Sequence, residues 1–184
     1  MYQRNETSNK ARLVAGYCWD WKGKKDPAEE DIKIPEYDFA MRWNLGSDGG
    51  LWIVSPNSVS EVGCIHTSQG LELDYIGAII GMDFVVRDGV VVTNALRRSS
   101  QDRSMHGYKK LFADNPEKAL KLADRIIKNT YRTLMTRGQK ACYVFCVDEE
   151  TNEYFQGFAD RSALGFSEFE ELRKVAENAG KYQI

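Results

Sequence analysis

Two near-continuous apolar runs, YIGAIIG at residues 75–81 and ACYVFCV at residues 141–147, constrain the fold more than any other feature of this chain. Runs without strict alternation suit strands covered on both faces, and therefore a largely parallel sheet between helical layers. Between them the pattern changes. Ala119, Leu122, Ala123, Ile126, Ile127, Thr130 and Leu134 recur at three- and four-residue spacing, one apolar stripe on a helix. That helix opens at Asn115-Pro116, a capping residue followed by proline at the first helical position, and Gly138 marks its expected stop. Strand, helix and strand in this order predict an α/β layer structure with a mostly parallel sheet.

The remaining segments fill in that frame. Residues 11–19 (ARLVAGYCW) read as a buried strand, and 20–36 as a long polar loop broken by Gly23, Pro27 and Pro35. Residues 37–45 and 51–54 are short aromatic-rich pieces expected as strands, separated by a glycine-rich stretch, and residues 59–66 read as a strand that stops at a polar turn. Two β runs flank Asp88-Gly89, so residues 84–93 predict a hairpin leaving the main sheet. A final amphipathic helix is expected at 167–179, with Phe169, Leu172, Val175, Ala176 and Ala179 inward.

At 184 residues, 42% hydrophobic and 28% charged, the chain is long and apolar enough for one globular domain and is not a disordered one. A net charge of −2 gives no general attraction to nucleic acid, so any such contact must come from local patches such as Lys22, Lys24 and Lys25, or the stretch from Arg97 to Lys110. Taken alone, each patch reads first as a solvated face. No apolar run reaches the roughly 20 residues that cross a bilayer, and no signal-peptide core opens the chain, so a cytoplasmic protein without membrane contact is expected. Cys18, Cys64, Cys142 and Cys146 lack CxxC spacing, and Cys142 and Cys146 share one side of a strand as buried apolar residues would. No zinc site is expected from them.

Two segments carry groups suited to phosphate, ribose or nucleic acid: GCIHTSQGLE at 63–72 and YRTLMTRG at 131–138. A turn after a strand presents hydroxyls and backbone N–H groups, and Gly70 permits close approach to a ligand, although Ser68 can equally cap a short helix. Arg137 ends a helix, where a cation is favoured by roughly 0.3–1 kcal/mol in any case. The sharper reading is a guanidinium held toward a transferring phosphoryl group, an arginine finger. No GxxxxGK(S/T) loop occurs in the chain, so no phosphate-cradling lysine accompanies these groups.

Together the segments resemble motifs V and VI of superfamily 1 helicases: HTSQGLELDYIGAIIG matches the strand–turn–strand around Gly-Leu-Glu, and NTYRTLMTRGQKACYVFC the helix–Thr-Arg–strand. The resemblance is closest to an uncharacterised bacterial group, the Schlafen-group-3-like DNA/RNA helicases. It extends upstream through VAGYCWDW, DFAMRWN and LWIVSPNSVSEVG, to cover about residues 12–150. It implies a three-layer, P-loop-NTPase-like (RecA-like) second motor domain spanning 1–184, with a core at about 11–150 and a helical extension at 160–184. It further implies that His66, Thr67, Ser68 and Gln69 contact single-stranded DNA or RNA. Gly70, Glu72, Arg132 and Arg137 would lie on the nucleotide, with Arg137 as the catalytic finger. ATP and magnesium would then be shared with an N-terminal RecA-like ATPase domain upstream in the same polypeptide, because the phosphate loop and its magnesium-binding Asp-Glu are missing here. Neither hydrolysis by this chain alone nor a bound metal is expected.

Two other classes compete. The fold could serve as a degenerate, non-catalytic nucleic-acid or protein adaptor. A self-standing hydrolase using His66 or Cys64 is the third reading, and neither residue has an identifiable orienting partner in the sequence. Trp19, Trp21, Trp43 and Trp52 are open to base stacking or to core packing, with Trp19, Trp21 and Trp43 ahead because their neighbours are polar; Tyr108 is similarly open.

Overall fold

A computed structural model describes residues 1–23, 26, 28–44, 49–68 and 72–159. In chain order they form helix α1 (Tyr2–Ser8), strands β1 (Ala11–Ala15), β2 (Ile32–Ile34), β3 (Phe39–Trp43), β4 (Glu61–Gly63), β5 (Leu73–Ile80), β6 (Phe84–Arg87) and β7 (Val90–Thr93), helices α2 (Tyr108–Asp114) and α3 (Pro116–Met135), and strand β8 (Gly138–Cys146). A further helix begins at 149 and continues to 159. The helix expected at 167–179 lies outside the described residues, as do Lys24, Lys25, Gln69 and Gly70.

The main sheet has the strand order β2-β3-β4-β1-β5-β8. All neighbours pair in parallel except β2, which joins β3 antiparallel at one edge. Alternate residues of the central strands feed two separate cores. On one face Val14, Ile76, Ala78, Ile80 and Cys146 pack against Ile127, Tyr131 and Leu134 of α3, together with Trp52. On the other, Ala15, Val62 and Ile79 pack with Tyr17, Ile32, Met41 and Trp43, and α1 stands over Leu13, Gly77 and Ile79. Filling both faces is why β5 and β8 read as unbroken apolar runs. The result is the three-layer α/β arrangement of RecA-like domains.

The helix and hairpin match their sequence signals. α3 starts at Pro116 with the Asn115 side chain accepting from the Lys118 N–H (3.0 Å). β6 and β7 form their own two-stranded sheet, with Asp88 and Gly89 both at positive φ (51° and 74°) in the turn. The hairpin is tied down by Arg87, which reaches Asp148 (2.6 Å), and by the Val86 N–H donating to Thr151 (2.8 Å).

Several sequence expectations are corrected. Residues 51–54 belong to a 3-10 segment, Gly49–Val54, because Trp52 turns inward onto Gly63, where a Cβ would collide with its ring. The strand expected at 11–19 ends at Ala15: Gly16 passes so close to the Tyr131 hydroxyl that a Cβ there would overlap it. The strand at 59–66 shrinks to Glu61–Gly63. The loop at 20–36 conceals β2, three residues closed by Pro35. Gly138 starts β8 and pairs with Leu73. Cys142 is exposed whereas Cys146 is buried, so their shared strand side is covered at one end only. Trp43 and Trp52, 1% and 0% exposed, are core residues and unavailable for stacking.

Candidate nucleotide and nucleic-acid interface

The turn after β4 is held together by its own polar groups. The Cys64 N–H donates to Thr67 Oγ1 (2.8 Å), that hydroxyl donates back to Cys64 O (3.1 Å), and it also lies 3.5 Å from Asn44 Oδ1. The Ser68 N–H donates to Cys64 O (3.1 Å), while Ser68 is fully buried with its hydroxyl directed at Ile65 O (3.4 Å). Thr67 and Ser68 therefore brace the turn, which is an internal use of two side chains expected to face a nucleic-acid strand. His66 is the member that projects outward, exposed and without a hydrogen bond among the described residues. Cys64 is buried and no base approaches its thiol among those residues, so the nucleophile reading of Cys64 or His66 has no geometric support.

The second group gathers where β5 and β8 begin. Glu72 is exposed immediately before β5, and the next residue, Leu73, donates its N–H to the Arg137 carbonyl (3.2 Å). Arg137 itself is half-buried. Its Nε is shut off from solvent with no hydrogen-bond partner, and no carboxylate pairs with its guanidinium among the described residues. A buried donor left unsatisfied costs about 1–3 kcal/mol; the terminal guanidinium nitrogens are not enclosed in this way and are the ones an anion could reach. Arg132, one helical turn earlier, is exposed, and its carbonyl accepts from the Thr136 N–H (3.1 Å) and hydroxyl (2.9 Å).

Ligands on parallel sheets gather at the carboxyl ends of the strands, and the register places one of the two segments there and the other at the opposite end. Val14 pairs with Gly63 on one side and Ala78 on the other, so the turn at 64–68 sits at the carboxyl ends, whereas Glu72 and Arg137 precede β5 and β8 and sit at the amino ends. Five steps of extended chain, from Leu73 to Ala78, separate the two levels, roughly 17 Å at about 3.3 Å per residue. Topology dictates the split: parallel strands oblige the connection 64–72 to cross from one end of the sheet to the other.

Behind the carboxyl end lies a buried polar network that the sequence did not announce. Arg98 pairs with Asp83 (2.6 Å) and Asp102 (2.5 Å), all three side chains at most 2% exposed. The Tyr131 hydroxyl donates to Asp83 (2.5 Å) and accepts from the Gly81 N–H (3.0 Å), and Cys18 lies 3.7 Å from it. Burial, the nearby Cys18 and Asp83 together hold the Tyr131 phenol protonated well above its ordinary range; burial and Asp83 do the same for the Cys18 thiol. Tyr131 falls three residues before Leu134 and four after Ile127 on the helical stripe, which is the one signal that places it inward. Leu122, assigned to that stripe, is instead partly exposed.

Residues 1–148 match the family described as Schlafen group 3, DNA/RNA helicase domain. The chain belongs to that family. As a Schlafen group 3 helicase domain, it is similar to an uncharacterized protein of Saccharomyces cerevisiae, 30% identical over 153 residues, which are 82% of this chain and 32% of the relative. The chain thus spans about a third of the length of the curated relative it matches. No solved structure matches the chain significantly. Among the described residues, no helix is long and apolar enough to cross a membrane.

Proposed function

We propose that this Schlafen group 3 domain is the second motor domain of an ATP-dependent DNA/RNA helicase or translocase of superfamily 1. It closes over ATP and magnesium held mainly by an N-terminal RecA-like domain of the same polypeptide. Arg137 offsets charge on the γ-phosphate, Glu72 contacts the nucleotide sugar, and Arg132 provides a weaker outer phosphate contact. His66, the backbone of the braced turn after β4 and Gln69 touch the nucleic-acid strand, and Gly70 lies on the nucleotide.

The observation that carries this reading is the buried, unpartnered Nε of Arg137 beside Glu72 at the amino ends of β5 and β8. A guanidinium with no carboxylate of its own suits an anion delivered by another domain. One connection, residues 64–72, joins this end of the sheet to the turn at the other, so nucleotide-driven closure and grip on a strand share a single piece of backbone.

Steady-state ATP hydrolysis by the complete polypeptide tests the assignment. The wild type is expected to turn over faster with single-stranded nucleic acid present, and Glu72→Ala to raise KM for ATP several-fold with little change in kcat. Oligonucleotide binding without any ATP turnover would instead select the adaptor reading.

A further inference from the structure

The loop between the β6–β7 hairpin and α2 is held in place with unusual thoroughness. Arg98 is buried between Asp83 and Asp102. The Ser99 N–H donates to Tyr17 O (2.8 Å) and its hydroxyl to Asp20 (2.5 Å), while Gln101 accepts from the Trp21 N–H (2.7 Å). Asp102 also accepts from the N–H (2.9 Å) and hydroxyl (2.7 Å) of Ser104. These bonds seat the loop over the carboxyl end of β1.

The seated loop and the start of α2 enclose an open groove of about 700 Å³. Arg98 in its floor is already paired with Asp83 and Asp102. Arg103, Lys109 and Lys110 line it, are exposed, and pair with no carboxylate among the described residues. Apolar and aromatic groups share the same groove: Leu96 is 76% exposed, and Tyr108 packs beside the exposed Phe112 at 5.8 Å between ring centroids. Three free cations with an aromatic surface between them match a chain of phosphates carrying flat bases.

The groove also lies near the turn after β4: the buried Tyr17, stacked on Trp43 at 5.3 Å, is close to both Cys64 and Arg103. We infer that the groove lined by Arg103, Tyr108, Lys109 and Lys110 is a second binding site for single-stranded nucleic acid, extending the path that begins at His66. This inference rests on the motor reading for the polarity of the strand's path, but not for the groove's own chemistry.

The test is fluorescence-anisotropy titration of the complete polypeptide with a labelled oligo(dT) and a labelled oligo(U), repeated over a range of salt concentrations. Combining Arg103→Gln, Lys109→Gln and Lys110→Gln is expected to weaken binding at least tenfold and to flatten the slope of log K against log salt by about 2, three phosphates at about 0.7 each. Tyr108→Ala is expected to weaken it about fivefold or more while leaving the slope unchanged. Arg103, Lys109 and Lys110 are exposed, so the melting temperature of the triple variant should stay at the wild-type value. Affinity within twofold and an unaltered slope in the triple variant would overturn the inference. So would displacement of the oligonucleotide by poly-glutamate as readily as by unlabelled oligonucleotide, which would mark an acidic protein partner instead. Arg137→Ala, measured alongside, keeps the two claims apart. Lost turnover with normal oligonucleotide binding supports the motor whatever the groove does, and a flattened slope in the triple variant supports the groove even if Arg137 proves dispensable.

Discussion

Tyr131 shows how much one side chain can hold. Its hydroxyl joins the backbone of Gly81, the carboxylate of Asp83 and the neighbourhood of Cys18, while its ring meets Phe84 edge-on at 5.3 Å. Tyr131→Phe keeps the ring but leaves a buried N–H and a carboxylate oxygen short of a partner, a loss of about 1–3 kcal/mol in urea unfolding. The pH dependence follows from the same site. Phenol and thiol are both raised in the folded chain, from ordinary values of 10.0 and 9.0. On raising the pH the unfolded chain therefore loses these protons first, so their contribution is intact below about pH 9 and erodes above it. Tyr131→Phe should flatten that alkaline loss in urea melts taken between pH 8 and 10.5; an unchanged pH slope would show that the hydroxyl is not the group concerned. Arg12 is a comparable case in β1, fully buried with only neutral acceptors, among them Ile53 O (3.0 Å) and Ser55 O (2.9 Å). A charged residue within an apolar strand sequence gives no hint of so enclosed a fate.

At the scale of elements, legibility in the sequence tracked how many independent signals agreed. α3 combined an Asn-Pro start, a long apolar stripe and a 20-residue length, and the hairpin combined β-branched runs with Asp-Gly. Where one weak signal stood alone the reading failed. β2 is too short to stand out beside Pro35, and the aromatic character of 51–54 came from Trp52 packing inward, not from strand pairing. α2, only seven residues long and with no capping side chain, was not anticipated at all. The cap on α3 can be tested directly: Asn115→Ala removes the acceptor for Lys118 N–H and should cost about 1 kcal/mol, with a melting shift of a few degrees. A change below about 0.2 kcal/mol would mean that the helix start is held by packing of its apolar face alone.

For the whole molecule, the candidate site was legible as a set of residues but not as an arrangement. The two motif-bearing segments stand out because each joins an apolar strand to a polar, glycine-containing turn. Which end of the sheet each occupies depends on strand order and register, which are non-local and invisible to a scan of neighbouring residues. Once the register is known, Glu72 and Arg137 fall together, His66 falls at the far end, and Thr67 and Ser68 become braces. The account predicts two separated contact regions linked by residues 64–72, with the arginine essential to chemistry and not to strand binding. Its most direct test is the turnover of ATP by the complete polypeptide carrying Arg137→Ala, with single-stranded nucleic acid saturating. A fall in kcat on the order of 10³ is expected, with Arg137→Lys recovering little because an ammonium cannot reproduce the guanidinium fork. A kcat within threefold of wild type would contradict the central claim that this guanidinium completes a catalytic pocket shared with another domain.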